Sequence, residues 1–195
     1  MTELLTCLQT GEELYEQQFT ALRLPKTEGK LLGSSSTFEQ VSFAESSLVL
    51  DCTGGSFIGC DFSFCKLSDS SLSGVRFENC NFTGADFCES FFKNCTFTGC
   101  KCDMINCNSS KFQGCTLTDS RFASGYLENC MFKKTALQNL VLENAYFTGT
   151  ALKGIDLTTC TLSGLHLRPE DLRGCKLRLE QAMEFLWMLG VKIVG

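Results

Sequence analysis

The chain has 195 residues, with 22 acidic side chains against 17 basic ones, a formal net charge of −5 and a single histidine. That length suits one domain with a real core, and the acidic balance argues against a nucleic-acid binder that works by neutralising phosphates. Seventeen Phe, seventeen Gly and fourteen Cys against two Pro and one Trp are a biased mixture, and the bias points to internal repetition.

The first stretch, MTELLTCLQTGEELYEQQF, has acidic residues soon after Leu8 and no basic n-region, so no signal peptide is expected. No run of about eighteen apolar residues offers a membrane span. The expected compartment is the cytoplasm, where thiols stay reduced. Residues 1–18 are read as a capping segment, a short helix with Leu4, Leu5 and Leu8 over the open end of the first coil. Phe19 and Leu24 begin that coil, and Pro25 to Ser36 reads as a polar excursion. Phe38, Phe43 and Leu48 keep a spacing of five, but Leu48 to Cys52 is a step of four, which predicts a distorted corner around Val49, Leu50 and Asp51.

From Phe57 to Leu177 every fifth residue is Phe, Leu or Cys: twenty-five positions without a break, eleven Phe, twelve Leu and two Cys. Two residues before nearly all of them lies a small or apolar side chain. Nine cysteines take that slot: Cys60, Cys65, Cys80, Cys95, Cys100, Cys115, Cys130, Cys160 and Cys175. A period of five belongs to neither helix nor strand. Inward positions two apart obey strand alternation, and the next two residues must turn a corner. Four such sides close a turn of about twenty residues, and turns stack at about 4.8 Å. The expectation is a β-solenoid with interior columns of residues twenty apart, such as Phe57, Phe77, Phe97, Leu117 and Leu137. Ser70, Ser90, Ser110, Cys130 and Thr150 make a mostly hydroxyl column.

These residues resemble the pentapeptide-repeat proteins. The resemblance implies an all-β fold, a right-handed quadrilateral β-helix over 19–178, with 179–195 forming a short C-terminal helix and strand. In that tail Ala182, Phe185, Leu186 and Leu189 make a helical face, and Val191 to Val194 reads as a short strand. The segment is either a cap alone or a cap that is also a homodimer interface through Phe185, Leu186, Leu189, Val191, Ile193 and Val194.

The same tail resembles one bacterial branch of the family, the Qnr, MfpA and albicidin-resistance proteins that bind DNA gyrase. What this implies is a non-enzymatic DNA mimic, a dimeric rod that binds DNA gyrase or topoisomerase IV and modulates it or shields it from inhibitors such as quinolones, as in antibiotic resistance. Its carboxylates would stand in for phosphates, with Asp61, Asp86, Glu89, Asp103 and Asp119 as the partner-binding candidates. Gram-negative Qnr proteins carry loop insertions, whereas 57–177 is unbroken here. The rival reading is a structural or protein-interaction scaffold with no topoisomerase role.

The cysteines are read as small fillers of inward slots. Metal-binding spacing is not independent of the repeat, so no metal and no cofactor is expected. Cys88 and Cys7 fall outside the inward register and are expected to be the most reactive thiols. His166 is outward, with no nucleophile or carboxylate at a useful spacing. No phosphate-binding or hydrolase motif occurs, and a filled shaft has no catalytic pocket, so an enzyme is not expected.

Overall fold

The structure is a computed structural model that describes residues 1–190, apart from the side chains of Trp187 and Leu189. The chain winds into a four-sided parallel β-solenoid. Its first side is a seven-stranded parallel sheet of β1 (Leu14–Tyr15), β3 (Glu28–Ser34), β5 (Ser47–Thr53), β7 (Ser71–Ser73), β9 (Phe91–Lys93), β11 (Lys111–Gln113) and β13 (Met131–Lys133), in that order. The second side is a parallel sheet of β2 (Gln18–Thr20), β4 (Thr37–Glu39), β6 (Ser56–Ile58), β8 (Arg76–Glu78), β10 (Thr96–Thr98), β12 (Thr116–Thr118) and β14 (Ala136–Gln138). The third and fourth sides are held by single bridges, through Asp61, Asn81, Lys101 and Arg121 on one and Lys66, Asp86, Asn106 and Tyr126 on the other.

The register follows the twenty-residue ladder. Phe57 pairs with Phe77, Phe77 with Phe97, Phe97 with Leu117 and Leu117 with Leu137. On the first side Leu72, Phe92, Phe112 and Phe132 align in the same way. The rings stack near-parallel and offset down these columns, with centroids 4.7 Å apart for Phe92 and Phe112 and 5.2 Å for Phe57 and Phe77. Neighbouring columns meet edge to face, as Phe87 does with Phe92. Both geometries suit the aromatic quadrupole. Each fully buried Phe or Leu contributes about 1.5–3 kcal/mol, so the columns dominate stability.

The corners turn through the left-handed region. Asp69, Asn79, Glu89, Asn94, Met104, Asn129 and Lys134 all have positive φ, each two residues after an inward Phe, Leu or Cys. Asn and Asp tolerate that conformation because their short side chains bond locally. This accounts for the polar, Asn-rich residues between the inward positions.

The second selected slot is governed by hydrogen bonding as well as by size. The Ser70 hydroxyl accepts from the Leu50 amide at 2.9 Å, Ser90 from Ser70 at 3.1 Å, and Ser110 from Ser90 at 3.0 Å. Each then donates inward, as Ser110 does to the Phe87 carbonyl at 2.7 Å. The thiols reach the same carbonyls: Cys80 Sγ lies 3.3 Å from the Phe57 oxygen, and Cys115 Sγ 3.3 Å from that of Phe92. Buried backbone acceptors want a partner, and a small side chain with one donor supplies it.

The N-terminal coils depart from the expected layout. Residues 25–36 are no excursion: they contain β3, a full rung of the first sheet, with Leu31 buried. The rung is hidden in the sequence because glycine stands at two of its inward positions. Gly33 pairs with Cys52, and Gly29 faces Leu8, whose carbonyl oxygen would lie 1.9 Å from a Cβ added there. Glycine thus lets helix α1 (Thr2–Thr10) close over the coil, with Leu4, Cys7 and Leu8 buried beneath it. Sheet pairing begins at Leu14, earlier than residue 19. Nor is the four-residue step a distorted corner. Within β5 the side chains of Leu48, Leu50 and Cys52 all point inward, so strand alternation runs straight through. Consequently Glu28 pairs with Ser47, nineteen residues on, whereas Asp51 pairs with Ser71, twenty on.

At the other end helix α2 spans Leu179–Glu184 and is followed by a 3-10 turn, Leu186–Leu189. Gln181 and Phe185 are its buried residues, while Ala182 and Leu186 are half-buried. The strand expected at Val191–Val194 lies outside the described residues.

Candidate interaction surface

The interior is filled, so recognition chemistry belongs to the outward columns. The five candidate carboxylates do not share a face. Asp61 and Asp103 project from the third side and Asp86 from the fourth, while Glu89 and Asp119 stand at corners on opposite edges of the shaft. Most are already engaged. Asp61 accepts from the Asn81 amide group at 3.0 Å, Asp86 from Asn106 at 2.8 Å, and Asp119 from Asn139 at 2.9 Å. Asp103 pairs with Arg121 at 2.9 Å, and Arg121 also reaches Glu143 at 3.8 Å.

The fourth side carries an aromatic ladder instead. Tyr126, Tyr146 and His166 occupy one outward column and stack, with centroids 5.0 Å and 4.4 Å apart. His166 is therefore a surface stacking residue. Phe64 and Met104 are exposed at the adjoining corner.

Of the C-terminal interface candidates, Phe185 is 7% exposed and joins the core of its own chain, so it serves the cap. Leu186 is half-buried and lines a small apolar cavity with Pro169, Leu172, Leu177 and Met188. The side chain of Leu189, and Val191, Ile193 and Val194, lie outside the described residues. Among the described residues, Leu179 and Met183 are exposed apolar side chains at this end.

The thiols are free, and all but Cys88 and Cys175 are buried. Burial pushes Cys52 and Cys130 up to about 12 and Cys65 to about 11. The two thiols expected to be reactive are also disfavoured. Cys7 is buried under α1, and burial followed by Glu12 and Glu3 raises its pKa. Cys88 is half-buried, and partial burial followed by Asp86, Glu89 and Asp69 raises it. The thiolate is the reactive species, so both are less reactive than an ordinary thiol. Among the described residues no cluster of three His, Cys, Asp or Glu side chains could hold a metal. No helix among them is long and apolar enough to cross a membrane.

One polar site was not foreseen in the sequence. Asp171, 5% exposed, accepts from the Gly149 amide at 3.1 Å, the Arg168 amide at 3.0 Å, and the Arg168 guanidinium at 3.0 and 3.1 Å. It ties the last turn to the coil before it. Asp at that position looks like one more outward charge of the repeat, and nothing in the local sequence marks it as buried.

The family model for pentapeptide repeats matches the chain in eight copies, over residues 56–94 and 126–164. Over those two stretches the chain carries the repeats of the pentapeptide-repeat family. No curated protein matches it in sequence. Among solved structures, the pentapeptide-repeat chain is similar to full-length QnrB1, a plasmid-mediated fluoroquinolone resistance protein, at 16% identity and a TM-score of 0.50, over 92% of this chain and 100% of that one. It also matches HetL, a pentapeptide repeat protein involved in heterocyst differentiation regulation from the cyanobacterium Nostoc sp. strain PCC 7120, at 14% identity and a TM-score of 0.36, over 83% of this chain and 87% of that one. The likeness to QnrB1 is one of fold.

Proposed function

We propose that this pentapeptide-repeat chain is a non-enzymatic, cytoplasmic interaction scaffold, a rigid rod that binds a protein partner through side chains projecting from its shaft. One observation carries the reading: the large side chains of the repeat are spent on the interior, while the outward columns mix both signs of charge with exposed aromatic residues. Such a surface offers contact points and no enclosed site for chemistry. The Tyr126–Tyr146–His166 ladder and its Phe64–Met104 neighbours are the contact surface this reading favours. The test is affinity capture from cells with the wild-type chain and with Tyr126→Ala/Tyr146→Ala, after confirming that both melt alike. The reading expects a specific partner that the double variant loses. Identical capture by both would remove the ladder from recognition.

The second reading is binding to DNA gyrase or topoisomerase IV, with protection from quinolones as its consequence. What favours it is the fold shared with QnrB1 along the whole length of that protein. Duplex mimicry would need aligned carboxylates, and the five candidates are dispersed and largely paired. A topoisomerase partner would therefore be gripped by a mixed surface, and its test is direct binding of the purified enzyme to the immobilised chain.

A further inference from the structure

The outward face of the first sheet is polarised along the rod. On either side of β7, whose outward residues are Ser71 and Ser73, the charges change sign. Towards the N-terminus the face presents Glu13, Glu16 and Asp51, with Tyr15, 63% exposed, and half-buried Leu32. Glu28 and Lys30, at the start of β3, offset one another. Towards the C-terminus it presents Lys93, Lys111, Lys133 and Lys134, with half-buried Phe91 and Met131, 56% exposed. Rungs 91–94, 111–114 and 131–134 hold no carboxylate at all. None of Glu13, Glu16, Asp51 and these four lysines takes part in an ion pair among the described residues.

We infer that this face is self-complementary and that two copies of the chain pair on it, antiparallel, about a two-fold axis lying along β7. Such a rotation lays β5 over β9, β3 over β11 and β1 over β13 of the other copy, and keeps each outward column opposite itself. Because Tyr15 shares a column with Ser34 and Thr53, and Thr53 with Ser73, the pairs can be named. Glu16 meets Lys134, Tyr15 meets Lys133, and Leu32 meets Lys111 between Phe91 and Met131. Asp51 falls opposite Phe91, between the ammonium groups of Lys93 and Lys111. Every contact occurs twice, as an isologous interface requires. Acid meets base where Glu16 faces Lys134 at both ends, Asp51 lies between two lysines nearer the middle among apolar side chains, and Tyr15 with Lys133 suits a cation–π contact. The opposite, parallel arrangement would set the lysine-bearing halves of the two copies against one another. Seven rungs span roughly 29 Å, a small contact of the weak, salt-sensitive class. It is distinct from the expected pairing through the C-terminus, and it can join such dimers side by side.

Zero-length carbodiimide coupling of the full chain at about 100 µM, read by peptide mass spectrometry, tests it at the concentration a contact this small requires. Within one chain Glu16 and Lys134 lie six rungs apart, roughly 29 Å, so a link between them arises only between copies. We expect that link at low salt, with at least about a tenfold loss at 0.5 M salt. Lys133→Glu/Lys134→Glu has no amine at 134 to couple and forms no such link on its own. Mixing that variant with Glu13→Lys/Glu16→Lys restores pairing, seen as a link between positions 16 and 134 in which each has taken the other's charge. All four substitutions are at exposed positions, and matched melting curves establish that each variant is folded. Absence of the Glu16–Lys134 link at low salt overturns the inference, as does a link unchanged at 0.5 M salt or a mixture of the two variants that fails to link positions 16 and 134.

Discussion

Gln181 Nε2 donates to the carbonyl oxygen of Cys160 at 2.7 Å and to that of Leu157 at 2.9 Å. Its Oε1 accepts from the Arg178 amide at 2.8 Å. One side chain, 4% exposed, thus closes the lower end of the solenoid: it gives the Cys160 carbonyl its partner and adds a second donor to the Leu157 carbonyl, which also accepts from the Cys160 amide at 2.9 Å. The work of this glutamine is that of a cap.

Gln181→Leu keeps much of the volume and removes all three bonds. Leaving the buried Cys160 carbonyl unpaired costs about 1–3 kcal/mol, and we expect a loss of stability of that size in thermal or denaturant unfolding. Hydrogen exchange of the Leu157–Cys175 amides would rise first, because end coils of a solenoid unfold locally. An unchanged melting curve would show that the helix is a passenger on the last coil.

The hydroxyl column makes a second prediction. Ser110 accepts from the Ser90 amide and donates to the Phe87 carbonyl. Ser110→Ala removes both bonds and leaves the Ser90 amide and the Phe87 carbonyl only their mutual 3.2 Å bond, and it should cost about 0.5–1.5 kcal/mol. Ser110→Cys restores a weak donor of similar size and should cost less. If alanine and cysteine are equally tolerated, the slot selects by volume alone.

How much of this was legible in the sequence divides along the chain. The columns from Phe57 to Leu177 were readable because an inward side chain must be large at every fifth position, and that requirement leaves a period. The β3 rung was not, since glycines occupy its inward positions to admit α1, and a rule written in Phe and Leu passes over them. The step at Leu48–Cys52 was visible, but its geometry was misread, because a four-residue step also satisfies the two-residue alternation of an extended strand. On the surface, sequence position places each charge on a side, but the partners of Asp61 or Asp103 stand about twenty residues away, and only the coil closure brings them together.

Asp171 makes the lower end acid-sensitive. Burial alone would raise its pKa, but the Arg168 guanidinium and the Arg168 and Gly149 amides outweigh that and hold it below the ordinary carboxylate value. A depressed folded-state value contributes stability that is present above the unfolded pKa of about 3.9 and is lost as pH falls through the folded one. Unfolding followed from pH 7 downwards should show that loss at acid pH, and Asp171→Asn should lower the melting temperature at pH 7, by about 2–4 °C for a domain of this size, while flattening the acid dependence. An unaltered pH profile in the variant would remove the aspartate from the stability of the last turn.

Cys88 should label slowly in the native chain. Its pKa is raised by partial burial and by Asp86, Glu89 and Asp69, so at neutral pH its thiolate fraction falls below that of a free cysteine. Maleimide or disulfide-exchange labelling mapped by mass spectrometry should find it sluggish at pH 7 and faster with rising pH. Asp86→Asn/Glu89→Gln should accelerate it at pH 7, and an unchanged rate would mean that access, not charge, limits the reaction.

The central claim is that the chain works by its exterior as a mixed-charge scaffold and does not pose as duplex DNA. The most direct test is a DNA supercoiling assay with purified DNA gyrase and a rising concentration of the chain, with and without a quinolone. The dispersed, paired carboxylates predict that supercoiling proceeds unchanged and that the chain does not displace DNA from the enzyme. Dose-dependent inhibition of supercoiling, or displacement of bound DNA, would contradict the account and restore the duplex mimic.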